Sequence, residues 1–222
     1  MPLTVYTIYR PIFKLWRARR FKLFCQTFGL SAETATASDV TLLDVGGWPG
    51  DWIPRPRVVA HIDTLNITPP QYDPAKHPDL SLRVLVGDGC CMEFADEQYD
   101  IAYSNSVIEH LSTWERQQQF ANELQRVGRR VWCQTPAFGC PIEPHYMALF
   151  IHWLPKKVQR RLLRHFTPMG LISHLSPEKA DRWIAETRLL SKREMRKLFP
   201  SCTIRTEWLV SYLIPKSYVA FR

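Results

Sequence analysis

The sequence predicts an α/β domain. It is built on a seven-stranded, mostly parallel sheet with an antiparallel closing strand, helices on both faces and a helical cap insertion. Three observations carry this expectation. Short apolar runs alternate with helical or loop segments through residues 42–136. Most of those runs end in Gly, Asp, Ser or Asn. Two further strand-like runs then close the chain after a short helix. Strands alternating with helices make a parallel sheet covered on both faces.

The strand candidates follow in order. LLDVG at 42–46 runs into Gly47, Pro49 and Gly50, as a buried strand entering a tight loop does. RVVAHI at 57–62 ends at Asp63, LRVLV at 82–86 ends at Gly87-Asp88-Gly89, and YDIAY at 99–103 ends at Ser104-Asn105-Ser106. Residues 115–127 place Phe120, Leu124 and Val127 at helical spacing, and RVWCQ at 130–134 is the fifth strand. Residues 137–188 change character, with Pro, His, aromatics and Arg, and read as an insertion. Ser191 and Glu194 form a capping box for a helix over 191–198. Strands near 203–208 and 217–221 close the sheet, with Pro215 in their connection. The chain thus divides into a basic helical segment (1–30), a core (31–136 and 189–222) and the cap (137–188).

The 222 residues suit one domain with appendages, and 45% apolar with 23% charged residues is ordinary globular composition. Disorder, collagen and a disulfide miniprotein are excluded. No uncharged apolar stretch approaches the roughly 20 residues of a membrane-spanning helix, and no apolar leader with a small-residue cleavage site opens the chain. A cytoplasmic location is expected. The six cysteines form no CxxC pair and read as reduced thiols. The net charge of +8 is uneven: residues 1–30 carry six basic groups and no acid, and 144–222 carry fifteen basic against five acidic. The intervening segment holds eight basic and sixteen acidic groups.

In a parallel sheet, ligands bind outside the carboxyl ends of the strands. Glycines after the first strand let a backbone approach a ligand closely. Asp63, 17 residues after Gly46, could accept from ribose hydroxyls, and Asp88 from an adenine amino group. The loop D-V-G-G-W-P-G, the acid of the second strand, the G-D-G element and SNSVIEHL at 104–111 stand in order. As a set they resemble the class I S-adenosylmethionine-dependent methyltransferases, of the type 11-like small-molecule kind. The resemblance covers residues 40–136, and the closing hairpin extends it. It implies a Rossmann-like fold, S-adenosyl-L-methionine as methyl donor, and a cofactor site at Asp44, Gly46, Gly47, Gly50, Asp63, Asp88, Gly89 and Ser104. One departure is Trp48, where the family has the middle glycine. A nicotinamide enzyme is disfavoured: GxGxxG is absent, and Pro49, Pro54 and Pro56 leave no clean helix start after the loop.

A methyl on sulfonium is already activated, so alignment and desolvation are the protein's main contribution. A hydroxyl acceptor also needs a base. His145, oriented by Glu143, and His110 are the catalytic candidates. Glu109 beside His110 offers one carboxylate and one imidazole, a poor hard-metal site, and no metal is expected.

The basic flanks suggest partners. Ile8, Ile12, Leu15, Trp16 and Leu23 share one helical face, and Val158, Leu162 and Phe166 share another opposite Arg160, Arg161 and Arg164. Such faces suit an anionic membrane surface or pack on the sheet. His152 and His165 are expected to face solvent or a partner. The leading expectation is O-methylation of a small-molecule or glycan- or lipid-linked biosynthetic intermediate. The alternatives are an RNA or protein methyltransferase using the flanks, and a non-catalytic interaction module with a degenerate cofactor site. Nucleic acid is the less favoured partner, because the cofactor face lies in the acidic core.

Overall fold

The computed structural model of the chain describes residues 5–37, 39–173, 176–210 and 212–222. The strands are β1 (Thr41–Val45), β2 (His61–Asn66), β3 (Leu82–Val86), β4 (Tyr99–Asn105), β5 (Gly128–Pro136), β6 (Ile142–Glu143), β7 (Ala148–Leu149), β8 (Thr203–Val210) and β9 (Ile214–Phe221). The helices are α1 (Val5–Phe28), α2 (Ala32–Ala37), α3 (Pro49–Trp52), α4 (Trp114–Val127), α5 (Lys156–His165), α6 (Pro168–Ser173), α7 (Pro177–Glu186) and α8 (Lys192–Leu198). Seven strands form one sheet in the order β3-β2-β1-β4-β5-β9-β8. β1 to β5 pair parallel, and β9 runs antiparallel to both its neighbours.

Strand alternation builds two cores. Leu43, Val131 and Ala220 face one side, where Phe120 and Leu124 of α4 and Met195 and Leu198 of α8 cover them. Their neighbours Leu42, Trp132 and Val219 face the other side. There Phe24 of α1 lies edge-on to Tyr103 and Trp132, with ring centroids 5.1 and 5.4 Å away. Thr113 caps α4 by accepting from the Arg116 N–H. Ser191 and Glu194 make the reciprocal capping box of α8. Between β5 and α8, the hairpin β6–β7 and helices α5 to α7 enclose a third core of Tyr146, Ala148, Ile151, Leu163, Ala180 and Ile184.

Several local expectations change. The second strand is His61–Asn66, not 57–62, so Asp63 lies inside it. A one-turn helix does follow the glycine loop, with Pro49 in its first turn, where a missing N–H costs nothing. Pro215 sits within β9 rather than in the connection, opposite Trp208 at a register shift, where the ladder is already broken. α1 keeps part of the face its spacing predicts, with Trp16 and Leu23 half-buried, and turns the rest of it outward. Phe24 and Arg20 are buried and Phe13 and Trp16 half-buried, while Ile12 and Leu15 are exposed. The side chain of Ile8 lies outside the described residues. On α5, Gln159 and Leu163 point inward, and Val158 and Phe166 are exposed. His152 is half-buried and Nε2 is 2.9 Å from the Phe138 carbonyl. No helix among the described residues is long and apolar enough to cross a membrane.

Candidate active site

The glycine loop is held by space as much as by hydrogen bonds. Gly46 has φ +80°, and a Cβ there would come 2.5 Å from Val107. A Cβ on Gly47 would come 1.7 Å from the Asp44 carboxylate. Asp44, at the end of β1, is buried; Oδ2 accepts from Trp52 Nε1 at 2.7 Å and Oδ1 has no partner. Burial pushes this carboxyl up to about 7, against the Trp52 hydrogen bond. A cavity of about 220 Å³ opens beside it, lined by Asp44, Gly46, Gly47, Trp48, Asn105 and Ser106 among others. Trp48 is 59% exposed at its rim.

The other expected cofactor residues divide. Asp63 pairs in register with Leu43, three residues short of the strand's end. Its buried carboxylate is saturated by Arg83 (2.7 and 2.9 Å), Tyr99 Oη (2.6 Å) and His61 (2.9 Å). Those partners outweigh burial and hold its pKa below the usual carboxylate value. It ties β2, β3 and β4 together and lies away from the cleft. The end of β2 is Asn66, whose Nδ2 donates to the Gly47 carbonyl at 2.8 Å. Ser104 is likewise internal: fully buried, it donates to the Val45 carbonyl. Gly89 is required by packing, since a Cβ there would come 2.7 Å from Phe120 and Val45. Asp88 does stand past the end of β3, where Arg116 and the Cys90 N–H engage it. Gly50 lies on α3, in the wall of an outer groove with Trp48.

Asn105, the last residue of β4, and Ser106 just after it join two clefts. Ser106 has φ +58°, a left-handed backbone that costs a non-glycine residue energy. It is pinned by Gln134: N–H to carbonyl at 2.9 Å and Oγ to Oε1 at 3.0 Å. A second cavity, of about 200 Å³, lies on its far side, with Ser106, Gln134, Pro144 and His145 in its wall. Phe13, Trp16, Arg17 and Arg20 of α1 line it too. Arg20 anchors that helix, donating to Glu207 at 2.8 and 3.0 Å and to Asn105 at 2.8 Å. Arg17 pairs with Asp51 at 2.7 Å. Sequence reasoning missed Asn66, Arg17 and Arg20: the strand-end position of the first depends on register, and the reach of the others depends on the docking of α1.

The catalytic candidates come together. His145 Nδ1 is 2.6 Å from Glu143 Oε1, and Glu143 Oε2 accepts from the Tyr146 N–H at 2.8 Å. The His110 and His145 rings stand edge to face, 4.8 Å apart. Burial would lower the basicity of His145, but the Glu143 hydrogen bond and the charges of Glu143 and Glu109 raise it overall. His110 is pushed down to about 4 by desolvation and then by His145. Glu109 is fully buried, accepts from Thr135 Oγ1 at 2.9 Å, and leaves Oε1 unpartnered. Glu109, His110 and His145 offer ligand atoms all within 4.8 Å of one another. The sequence placed only two of these donors side by side.

Comparison with known proteins gives the family. Residues 43–130 match the family Methyltransf_11, described as a methyltransferase domain. No curated protein matches. Among solved structures, the methyltransferase domain of a bacterial CtHen1 protein shares 12% identity at TM-score 0.51, covering 92% of this chain and 96% of that one. A protein described under conversion of a disulfide bond into a thioacetal group during echinomycin biosynthesis shares 16% at TM-score 0.51, covering 85% and 77%. A SAM-dependent methyltransferase from Aquifex aeolicus shares 12% at TM-score 0.48, covering 86% and 88%. At these identities the two structures at TM-score 0.51 speak for the fold alone, and the matched segment speaks for the chemistry: residues 43–130 are a methyltransferase domain, with S-adenosylmethionine as its methyl donor.

Proposed function

We propose that the enzyme methylates an oxygen of a small-molecule or glycan- or lipid-linked biosynthetic intermediate by direct in-line transfer. The observation that carries this reading is the meeting of two clefts at Asn105 and Ser106. One lies over the glycine loop, and the other has His145, held from behind by Glu143, in its wall beneath α1. In this reading Gly46 and Gly47 admit the methionine end of the cofactor. The free Oδ1 of Asp44 attracts its ammonium, and Asn66 meets the ribose. Asp88 reaches the adenine edge only if it shares its carboxylate with Arg116. The acceptor enters the second cleft, where apolar contacts from Phe13, Trp16, Pro136 and Pro144 displace water. A cleft of about 200 Å³ suits one ring or a short segment rather than a folded macromolecule. Transfer then needs collinear oxygen, methyl carbon and sulfur, which positioning supplies, and a base for the acceptor proton, the role of His145 in the cleft wall.

Calorimetric titration of S-adenosylmethionine and its demethylated product tests the donor half. Wild type should bind both, Gly47→Ala should lose at least tenfold, and Asn66→Ala should lose less. A screen of hydroxylated acceptors, free and glycan- or lipid-linked, tests the other half. Methyl transfer to RNA or protein, with none to small acceptors, would overturn the reading.

A further inference from the structure

We propose that Glu109, His110 and His145 form a site for one divalent cation of the zinc type, in the wall of the acceptor cleft. Two donors come from the 3₁₀ turn that follows β4, Ile108–His110, and the third from the entrance to the cap. The chain therefore builds the cluster across 34 intervening positions, and only the tertiary fold assembles it.

Four features favour a cation. Glu109 is completely buried, and its Oε1 has no hydrogen-bond partner. A buried carboxylate oxygen without a partner is costly, and a cation would satisfy it. His145 Nδ1 is already engaged by Glu143, which leaves Nε2 as its ligand atom. That carboxylate–histidine arrangement orients metal-bound imidazoles generally, and here Glu143 is itself fixed by the Tyr146 N–H. The donor set of two imidazoles and one carboxylate is the set of open zinc sites rather than of magnesium or calcium. His110 is exposed and His145 lines the acceptor cleft, so the fourth position is accessible.

The consequence for catalysis rests on the methyl-transfer reading, but the site itself does not. An acceptor hydroxyl on the fourth position loses its proton to water, since a bound cation lowers the pKa of a ligated oxygen. The oxygen then forms the new bond to the methyl carbon as the carbon–sulfur bond breaks. The electron pair stays on sulfur, which leaves as a neutral thioether. His145 in this state orients and ligates and does not take the proton.

The test uses the full chain, stripped with a chelator. Zn2+ is titrated in by calorimetry and Co2+ followed by its visible d–d absorption. We expect one equivalent bound, at least tenfold weaker binding in Glu109→Gln and His145→Ala, and weakening of about 10–100-fold in Glu143→Gln. His110→Asn changes an exposed side chain, so the fold should persist while affinity falls at least tenfold. No binding by the wild type overturns the proposal. So does binding that survives all four substitutions, or a Co2+ spectrum dominated by thiolate charge transfer from the free cysteines. Donor binding is measured separately, so a wild type that binds S-adenosylmethionine but no cation refutes this inference and leaves the methyltransferase reading standing.

Discussion

Asp44 and Asp63 show how burial sorts two carboxylates of one sheet. Asp63 has three partners, and its charge is stabilised. Asp44 has one donor and an empty oxygen, and its neutral form is favoured up to about 7. If the cofactor ammonium requires the ionised form, donor affinity should rise about tenfold from pH 6 to pH 8 and level above. Asp44→Asn should flatten that profile, as calorimetry across the range would show. A profile equally steep in the variant would remove Asp44 from the site. Asp63→Asn should behave differently. It leaves a poorer partner for Arg83 inside the sheet, so the melting temperature should fall by several degrees, with donor affinity per folded molecule nearly unchanged. If donor affinity collapsed in a folded Asp63→Asn protein, the sheet-bound placement of Asp63 would be wrong.

At the scale of elements, α1 is the piece that turns a sheet edge into an enclosed cleft. Its length and basic charge are plain in the sequence, but its buried face is not. The aromatic positions Phe24, Phe13 and Trp16 compete with the aliphatic ones, and the pocket beside Tyr103 and Trp132 selects the aromatic row. Arg20, which reads as one more surface charge, is 8% exposed and bonded to Glu207 and Asn105. Removing one partner from a buried pair costs about 3–5 kcal/mol. Arg20→Ala should therefore raise amide hydrogen exchange along α1 and at the β8–β9 hairpin, and impair acceptor turnover more than donor binding. Unchanged exchange in α1 would mean that the helix is held by its aromatic contacts alone. Glu207 is also bonded to Ser217 and lies 3.7 Å from Lys216, so α1 and the closing strands share one polar knot.

For the whole molecule, these groups give stability a predictable pH dependence. Arg20 and its neighbours hold Glu207 below its ordinary range against burial, and Asp63 is likewise lowered. Their contribution is present above the unfolded carboxylate values near 4 and is lost as pH falls through the lower folded values. Asp44 has the opposite sign. Its protonated form is favoured in the fold, so its contribution is present at low pH and is lost as pH rises through about 7. Chemical denaturation should show a steep loss of stability below about pH 4 and, separately, a decline of up to roughly 4 kcal/mol as pH rises from about 4 to about 7, level above that. Asp44→Asn should abolish only the second. An undiminished decline between pH 4 and 7 in that variant would assign it elsewhere.

The layered α/β fold, the glycine loop, the order of the strands along the chain and the resemblance to methyltransferases could all be read from the sequence. All of these depend on local pattern: apolar runs of strand length, glycines directly after the first strand, and a capping box whose partners stand three positions apart. The tertiary structure alone decided which polar residues face the cleft. A one-residue change of position along a buried strand moves a side chain to the other face. Asp63 and Ser104 thus lie inside the sheet, while Asn66, Asn105 and Ser106 stand at its rim. It also decided that Glu109 and His110 meet His145 and that Arg17 and Arg20 reach the clefts. Those meetings join segments distant in the chain, and their closeness comes from packing α1 and the cap against a sheet edge, which no local spacing encodes.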